Sequence, residues 1–227
     1  MATSLQPHEP RPDARQRSEQ HAVFDLVRTE TPGIGQAGRH NPQATSRGSD
    51  PLTLGGVARV RIAHPTISDQ DDVLAMNAAS RAFHRPWAHP PQDAAGYHEL
   101  LERDSQEDCE TFLVRRVADE ALAGVFVLSQ IFRKGFQNAY LGYYGSAALA
   151  GQGYMAEGLE LVLDEAFGPL GLHRVEANIQ PGNDASLALT RRAGFRREGF
   201  SPRYLKIGGR WRDHERYAIL AEDRKPR

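Results

Sequence analysis

Residues 138–167 constrain this chain most: a strand pattern there runs through glycines into an amphipathic helix. Asn138 to Gly145 is aromatic and apolar, with Gly142 and Gly145 inside it. Glycine inside a strand costs stability and often marks a bulge or the close approach of a ligand or another backbone. Gly151 and Gly153 come next, and no acidic residue stands between Asn138 and Glu157. Met155, Leu159, Val162, Leu163, Ala166 and Phe167 then recur at helical spacing, until Pro169 and Gly171 stop the pattern. Free N–H groups at a helix start, preceded by backbone-exposing glycines, make a site for an anion, and the helix dipole adds to it. A P-loop is excluded, because no lysine follows the glycines. A dinucleotide fingerprint fits Gly151 and Gly153 but meets Ala156 at its third position. An ordinary strand-to-helix turn is the plain alternative.

The rest of the chain sets limits around that stretch. Its 227 residues suffice for one domain and a tail. A net charge of −1 gives no global field toward nucleic acid or a membrane surface. Cys109 is the single cysteine, so no internal disulfide or cysteine-based metal set can form. His64, His84, His89 and His98 have neither cysteine partners nor a metalloprotease spacing, and no metal is expected. No apolar run approaches a membrane span, and the first 20 residues lack the apolar region of a secretory signal, so a cytoplasmic protein is expected. Residues 1–55 carry prolines among Arg, Gln, Ser and Gly, and read as a disordered tail with one apolar island at Ala22–Val27. A folded domain is expected over residues 56–222, with 223–227 as a short C-terminal tail.

Within the domain, Val57 to Ile62 alternates as a strand. A helix follows from Ser68 to Phe83, with Asp69, Asp71 and Asp72 where the dipole favours acids. Pro86, Pro90 and Pro91 form a rigid link to a second helix over Gln92–Arg103. Thr111–Val117 and Leu122–Ile131 read as a hairpin around Ala118-Asp119-Glu120, and Asn138–Gly145 adds a third strand. His173–Ile179 is a strand, Pro181 to Ser186 opens a helix ending at Gly194, and Phe195–Ile207 with Trp211–Leu220 forms a last hairpin about Gly208-Gly209.

The segment Ala150-Gly151-Gln152-Gly153-Tyr154-Met155 resembles the acyl-CoA loop of the GNAT N-acetyltransferases, Gln/Arg-x-x-Gly-x-Gly/Ala. Gly153 matches the central position; Ala150 and Met155 depart from the outer two. The landmarks Gly171 to Asn178, then Pro181-x-Asn183-x-x-Ser186, then Arg192-Ala193-Gly194-Phe195-x-x-Glu198-Gly199 continue the resemblance. The tail hairpin Tyr204 to His214, with its Arg-Trp-Arg-Asp-His string, is similar to the subfamily that acetylates N-terminal alanine of ribosomal proteins. The resemblance covers about residues 57–222. It implies the mixed α/β (α+β) GNAT acyl-CoA N-acyltransferase fold, a mixed central sheet with a splayed strand pair and flanking helices.

It also implies an enzyme that moves acetyl from acetyl-CoA, its cosubstrate, to a primary amine. The expected acceptor is the α-amine of an Ala or Ser protein N-terminus. The alternatives are a small amine (aminoglycoside, polyamine or amino acid) and a non-catalytic acyl-CoA-binding module. Neither nucleic acid nor membrane is expected as a partner, and the chain is expected as a monomer or homodimer. Tyr144, Gly145, Ser146, Gly151, Gln152, Gly153, Tyr154, Met155 and Asn183 form the implied acetyl-CoA site. Backbone N–H groups around Tyr144 and Gly145 would stabilise the oxyanion. Asn183 is at once a good helix N-cap and an amide for the pantetheine arm. Many relatives place a proton-donating Tyr where this chain has Thr190, which turns attention to Ser186; Ser186 also reads as a first-turn residue bonding backbone. Some relatives carry a catalytic Glu at the position of Asn178; here Glu176, two residues earlier on the same strand face, is the candidate to deprotonate the amine, directly or through water, though it reads more readily as a salt-bridged or solvated carboxylate. Trp87, Tyr204 and Trp211 are candidates for the acceptor wall or for plain packing.

Overall fold

The computed structural model describes residues 58–224. The expected tail over residues 1–55 and the strand start at Val57 lie outside these residues. The elements in order are β1 (Val60–Ala63), α1 (Gln70–Ala79), α2 (Arg81–His84), α3 (Ala94–Asp104), β2 (Cys109–Arg116), β3 (Leu122–Phe132) and β4 (Asn138–Gly145). Then come α4 (Tyr154–Phe167), β5 (Arg174–Ile179), α5 (Asp184–Arg192), β6 (Arg196–Ile207) and β7 (Arg210–Leu220). The fold is a mixed α/β one, a central sheet flanked by helices, as the sequence leads one to expect. Among the described residues no helix is long and apolar enough to cross a membrane.

The sheet has seven strands in the order β1-β2-β3-β4-β5-β7-β6. Among the described residues the parallel neighbour pair is β4 with β5, and that ladder holds only Asn138–Tyr140 against Arg174–Glu176. Beyond Tyr140, β4 continues to Gly145 with β3 along one edge only. β5 turns its other edge fully to β7, from Arg174↔Leu220 to Ile179↔Glu215. The two strands therefore splay apart, and a gap opens through the sheet.

One face of the sheet packs on α4. Leu159, Val162, Leu163 and Ala166 bury against Phe126, Leu128, Ala139, Leu141, Val175 and Ala177. This is the face that the helical repeat anticipates. Close approach depends on Gly158, where a Cβ would sit 2.7 and 2.8 Å from the two methyls of Val114. The other face packs on α1 and α3 through Val73, Met76, Tyr97 and Leu100 against Leu113, Val125, Val127 and Tyr144.

The first helix differs from the expected single element. A 3-10 turn at Ile67–Asp69 precedes α1. The Asp69 carboxylate accepts from the Thr66 N–H at 2.8 Å and from Arg115 at 2.6 Å, which anchors this end to β2. The chain breaks at Ser80, whose hydroxyl accepts the Ala147 N–H at 3.0 Å, and resumes as α2. The break re-aims the chain so that His84 reaches the end of β4. At the other end, Arg224 bonds Glu160 and Asp164 of α4, so the packed chain runs past residue 222. The last helix stops as its sequence suggests. Gly194 takes φ +91°, and the Phe195 and Gly194 N–H groups bond Thr190 and Arg191 carbonyls at 3.1 Å, a Schellman pattern with buried Phe195.

Candidate active site

The loop between β4 and α4 is built for an anion. Gly151 and Gly153 have φ of +75° and +89°, a region that suits glycine. Gly153 caps α4 with no side chain bonded to the first-turn N–H groups. Those groups are left for a ligand, with the helix dipole behind them. Gln152 stiffens the loop by donating to the Ala148 carbonyl at 3.1 Å. Met155 turns inward: its side chain fills the space that a Cβ on Gly124 or Gly145 would need, so both must be small. Met155 thus fixes the loop to the sheet and offers the ligand its backbone.

Two arginines stand over this loop that loop spacing did not single out. Arg59 bonds Glu157 and donates to the Gln152 carbonyl at 3.2 Å. Its guanidinium lies 4.9 Å from the Tyr154 ring centre, and that of Arg116 lies 5.5 Å from it. Both precede the loop by tens of residues and reach it through β1 and β2, so only the sheet order reveals them.

At the splay, a cleft of ≈ 120 Å³ passes through the sheet. On the α5 side it is lined by Tyr143, Asn183 and Ser186. Asn183 accepts the Ser186 N–H through Oδ1 at 3.3 Å, which leaves its amide N–H groups unspent by the cap. The Tyr143 hydroxyl donates to the Ser186 carbonyl at 3.4 Å, and burial pushes its pKa up to about 12. Thr190 is buried and bonds back to the Ser186 and Leu187 carbonyls of its own helix, at 3.0 and 3.2 Å.

Strand alternation tells which amides face the gap. The Ser146 N–H donates to Ala123 at 2.8 Å, on the β3 side. The register from Gly124↔Gly145 to Ser129↔Tyr140 is unbroken. Gly145 and Tyr143, of opposite parity to Ser146, therefore turn their N–H groups toward the gap, while Tyr144 turns into the ladder. The Tyr144 side chain is buried on the α1 side, 5.6 Å from His84 between ring centres. His84 Nε2 lies 2.8 Å from the Gly145 carbonyl, and burial lowers its pKa, so the neutral ring donates there.

On the opposite side the cleft meets Trp87, Tyr140, Asn178, Gln180, Leu205 and His214. Trp87 comes from the link after α2. Its carbonyl accepts from Gln180 at 3.2 Å, and its ring lies 3.6 Å from where a Gly182 Cβ would be. Tyr204 stands edge-on to His214, with ring centres 5.8 Å apart. Trp211 is 62% exposed at the hairpin end, and the structure does not bring it to the cleft. Asn178 does line the cleft. Glu176 lies across from Tyr140 and is held by Arg174 Nε at 2.9 Å, while Arg174 also bonds Glu198. No residue lining the described cleft carries a formal charge at neutral pH, because burial lowers the pKa of His214.

His64, which has no metal-binding spacing in the sequence, meets partners in space. Its Nδ1 lies 3.9 Å from Asp104 and 3.7 Å from Glu110, a cluster at the end of α3 in which the imidazole is exposed and the two carboxylates are half-buried.

Comparison with known proteins bears on this arrangement. The Acetyltransferase (GNAT) domain family model matches residues 59–196. A probable N-acetyltransferase YjcK of Bacillus subtilis is 40% identical over 127 residues, which cover 56% of this chain and 68% of that protein. The [ribosomal protein uS5]-alanine N-acetyltransferase of Escherichia coli is 35% identical over 108 residues, 48% of this chain and 56% of that one. Among solved structures, Mycobacterium smegmatis RimJ in complex with CoA-disulfide superposes with a TM-score of 0.66 at 26% identity, covering 72% of this chain and 83% of that one. Spermidine N-acetyltransferase of Vibrio cholerae with CoA and spermine gives 0.63 at 20% identity over 73% and 97%, a likeness of fold.

Proposed function

The chain belongs to the GNAT acetyltransferase family, and from that premise we propose that it transfers acetyl from acetyl-CoA to the α-amine of a protein N-terminus with a small first residue, Ala or Ser. The observation that carries this reading is the charge-free, aromatic-walled cleft at the splay of β4 and β5. A polyamine or aminoglycoside brings several ammonium groups, and burying them needs carboxylates in reach. A peptide N-terminus brings one, followed by a neutral backbone that Asn178 and Gln180 can bond. The uS5-alanine relative and RimJ supply the same direction by name.

In this reading Gly151–Gly153, the start of α4 and Arg59 hold the pyrophosphate, and the free amide of Asn183 meets the pantetheine arm. The Gly145 and Tyr143 N–H groups, turned to the gap, stabilise charge that develops on the thioester oxygen. Ser186 is the proton donor to the leaving thiolate, with the Tyr143 hydroxyl beside its helix turn. An α-amine has an ordinary pKa of about 7.7–8.0, against about 10.4 for lysine, so deprotonation asks less of the site.

The test presents acetyl-CoA with three acceptors: a peptide with free N-terminal Ala, the same peptide N-blocked but carrying Lys, and spermidine. Free thiol reports turnover, and mass spectrometry places the acetyl group. Acetylation of the free N-terminus is expected. Label on lysine or spermidine with free N-termini untouched overturns the acceptor, and no turnover with any amine leaves only an acyl-CoA-binding module.

A further inference from the structure

We propose that His214 is the general base that takes the proton from the acceptor amine, a step that rests on the N-acetyltransferase reading above. His214 lies in the middle of β7 and is 1% exposed, yet its ring lines the cleft on the side away from Ser186. Its Nδ1 sits 3.0 Å from the Arg212 carbonyl. A carbonyl can only accept, so Nδ1 carries the hydrogen of the neutral ring and Nε2 carries the lone pair. With Nδ1 committed to that carbonyl, Nε2 is the ring nitrogen left for a molecule in the cleft that His214 lines. The ring is held rather than floating: Tyr204 packs edge-on against it from β6, and the Arg212 carbonyl fixes its rotation.

The surroundings keep that lone pair available. Tyr204 faces the ring from β6, Tyr140 stands nearby on β4, and Asn178 lines the cleft from β5. Burial pushes the Tyr140 pKa up to about 12, so this phenol is neutral. From the link before α3, Trp87 and Ala88 line the cleft without charge, and His89 packs on Gly208 with its own pKa lowered by burial. On β7 itself Arg212 and Arg216 share the face of His214, while the adjacent carboxylates alternate to the other face, where Asp213 accepts the Arg203 N–H at 2.7 Å and Glu215 pairs with Arg197. Burial outweighs Asp213 and the Arg212 carbonyl, and His214 stays neutral at pH 7. Glu176, the carboxylate on the strand face of Asn178, is engaged by Arg174 and is not part of the cleft lining.

The acceptor arrives largely as R–NH3+. His214 Nε2 takes one proton, and the freed nitrogen lone pair forms the N–C bond at the thioester carbonyl carbon as the C=O pair moves onto oxygen. The pair returns, the C–S bond breaks, and the sulfur takes a proton from Ser186, which recovers the one remaining on nitrogen. The products are the amide, the free thiol and one proton on His214, which passes to solvent. Base and acid stand on opposite sides of the gap, as transfer across it requires.

The experiment compares wild type, His214→Gln and His214→Ala, using whichever amine the wild type acetylates, so a wrong acceptor class changes the substrate and not the test. At pH 7 kcat/KM should fall about 10²-fold, the low end for a positioned proton-transfer group. Acetyl-CoA should still raise the Tm of each variant by its wild-type amount. The deficit should be largest well below the pKa of the amine used and close above it, from about pH 8.5 for an α-amine, where the amine is already neutral in solution. Free imidazole should restore part of the activity of His214→Ala. A His214→Gln enzyme as fast as wild type at pH 7 overturns the proposal. So does a deficit of constant size from well below to above the pKa of the amine used that imidazole leaves untouched, which would mark His214 as packing alone.

Discussion

Gly158→Ala is the sharpest test of how the helix that carries the anion loop sits on the sheet. In most helices this change stabilises, because Ala outranks Gly by about 1 kcal/mol in a helix interior. Here the added Cβ would lie 2.7 and 2.8 Å from the Val114 methyls and 3.4 Å from Phe126. Ordinary carbon contacts are about 3.5–4.0 Å, so α4 or β2 must give by roughly an ångström. Val114 and Phe126 are both fully buried, with no free space to yield into. Overpacking of this kind costs about 1–3 kcal/mol. Set against the propensity gain, the net is destabilisation by about 1 kcal/mol, with an upper end near 2 kcal/mol. For a domain of this size each kcal/mol is a Tm change of about 2–4 °C. Thermal unfolding should therefore show Gly158→Ala melting about 2–8 °C below wild type. Gly158 lies one turn from Tyr154, so acetyl-CoA should also give a smaller Tm shift. The double variant Gly158→Ala with Val114→Ala should be less destabilised than the sum of its singles, since the clash leaves with the methyls. A Tm at or above wild type for Gly158→Ala would refute the close-packing argument, because propensity alone would then be setting the sign.

Two further outcomes are expected. Ser186→Ala should lower kcat about tenfold or more while sparing acetyl-CoA affinity, and Tyr143→Phe should have the smaller effect of the two; the reverse ranking in steady-state assays would move the thiolate's proton donor to Tyr143. Stability should fall as pH drops below about 6.5, because buried His84 and His214 have lowered pKa values in the fold and ordinary ones near 6.5 unfolded, so the unfolded chain binds protons that the fold refuses. That contribution is complete above the unfolded value and is lost as pH falls toward the folded ones; a Tm unchanged between about pH 7 and 5 would contradict it.

The fold was legible because its signals are local. The strand Asn138–Gly145 ends where its glycines and aromatics say it should, and Tyr154–Phe167 follows the apolar repeat to within a residue. The hairpin turn at Gly208-Gly209 has both residues at positive φ, as paired glycines permit. The first helix was less legible. Its apolar spacing runs through Ser80 without a break, but the Ser80 hydroxyl is recruited by the Ala147 amide, and the chain turns there to deliver His84 to Gly145. A contact spanning 67 residues decides that bend, and no window of sequence contains it.

The site divides along the same line. The glycine loop and the Asn183 cap are short-range motifs, and they could be read residue by residue. The acceptor side could not, because β7 carries polar and charged side chains on both faces, so alternation does not say which face is inward. Trp211 drew attention as the large aromatic of the hairpin, yet its parity is opposite to that of His214 and it is exposed. Parity becomes meaningful only once β5 and β7 are paired. Asn178 then lies across from Arg216, two residues from His214, and the face shared by Asn178, Arg216 and His214 becomes the cleft side. The same pairing sets Glu176 beside Arg174, which also bonds Glu198, and outside the cleft lining. The hairpin is crowded with charged residues, and Arg212 and Arg216 share the face of His214, yet of these β7 side chains it is the uncharged imidazole of His214 that lines the cleft itself.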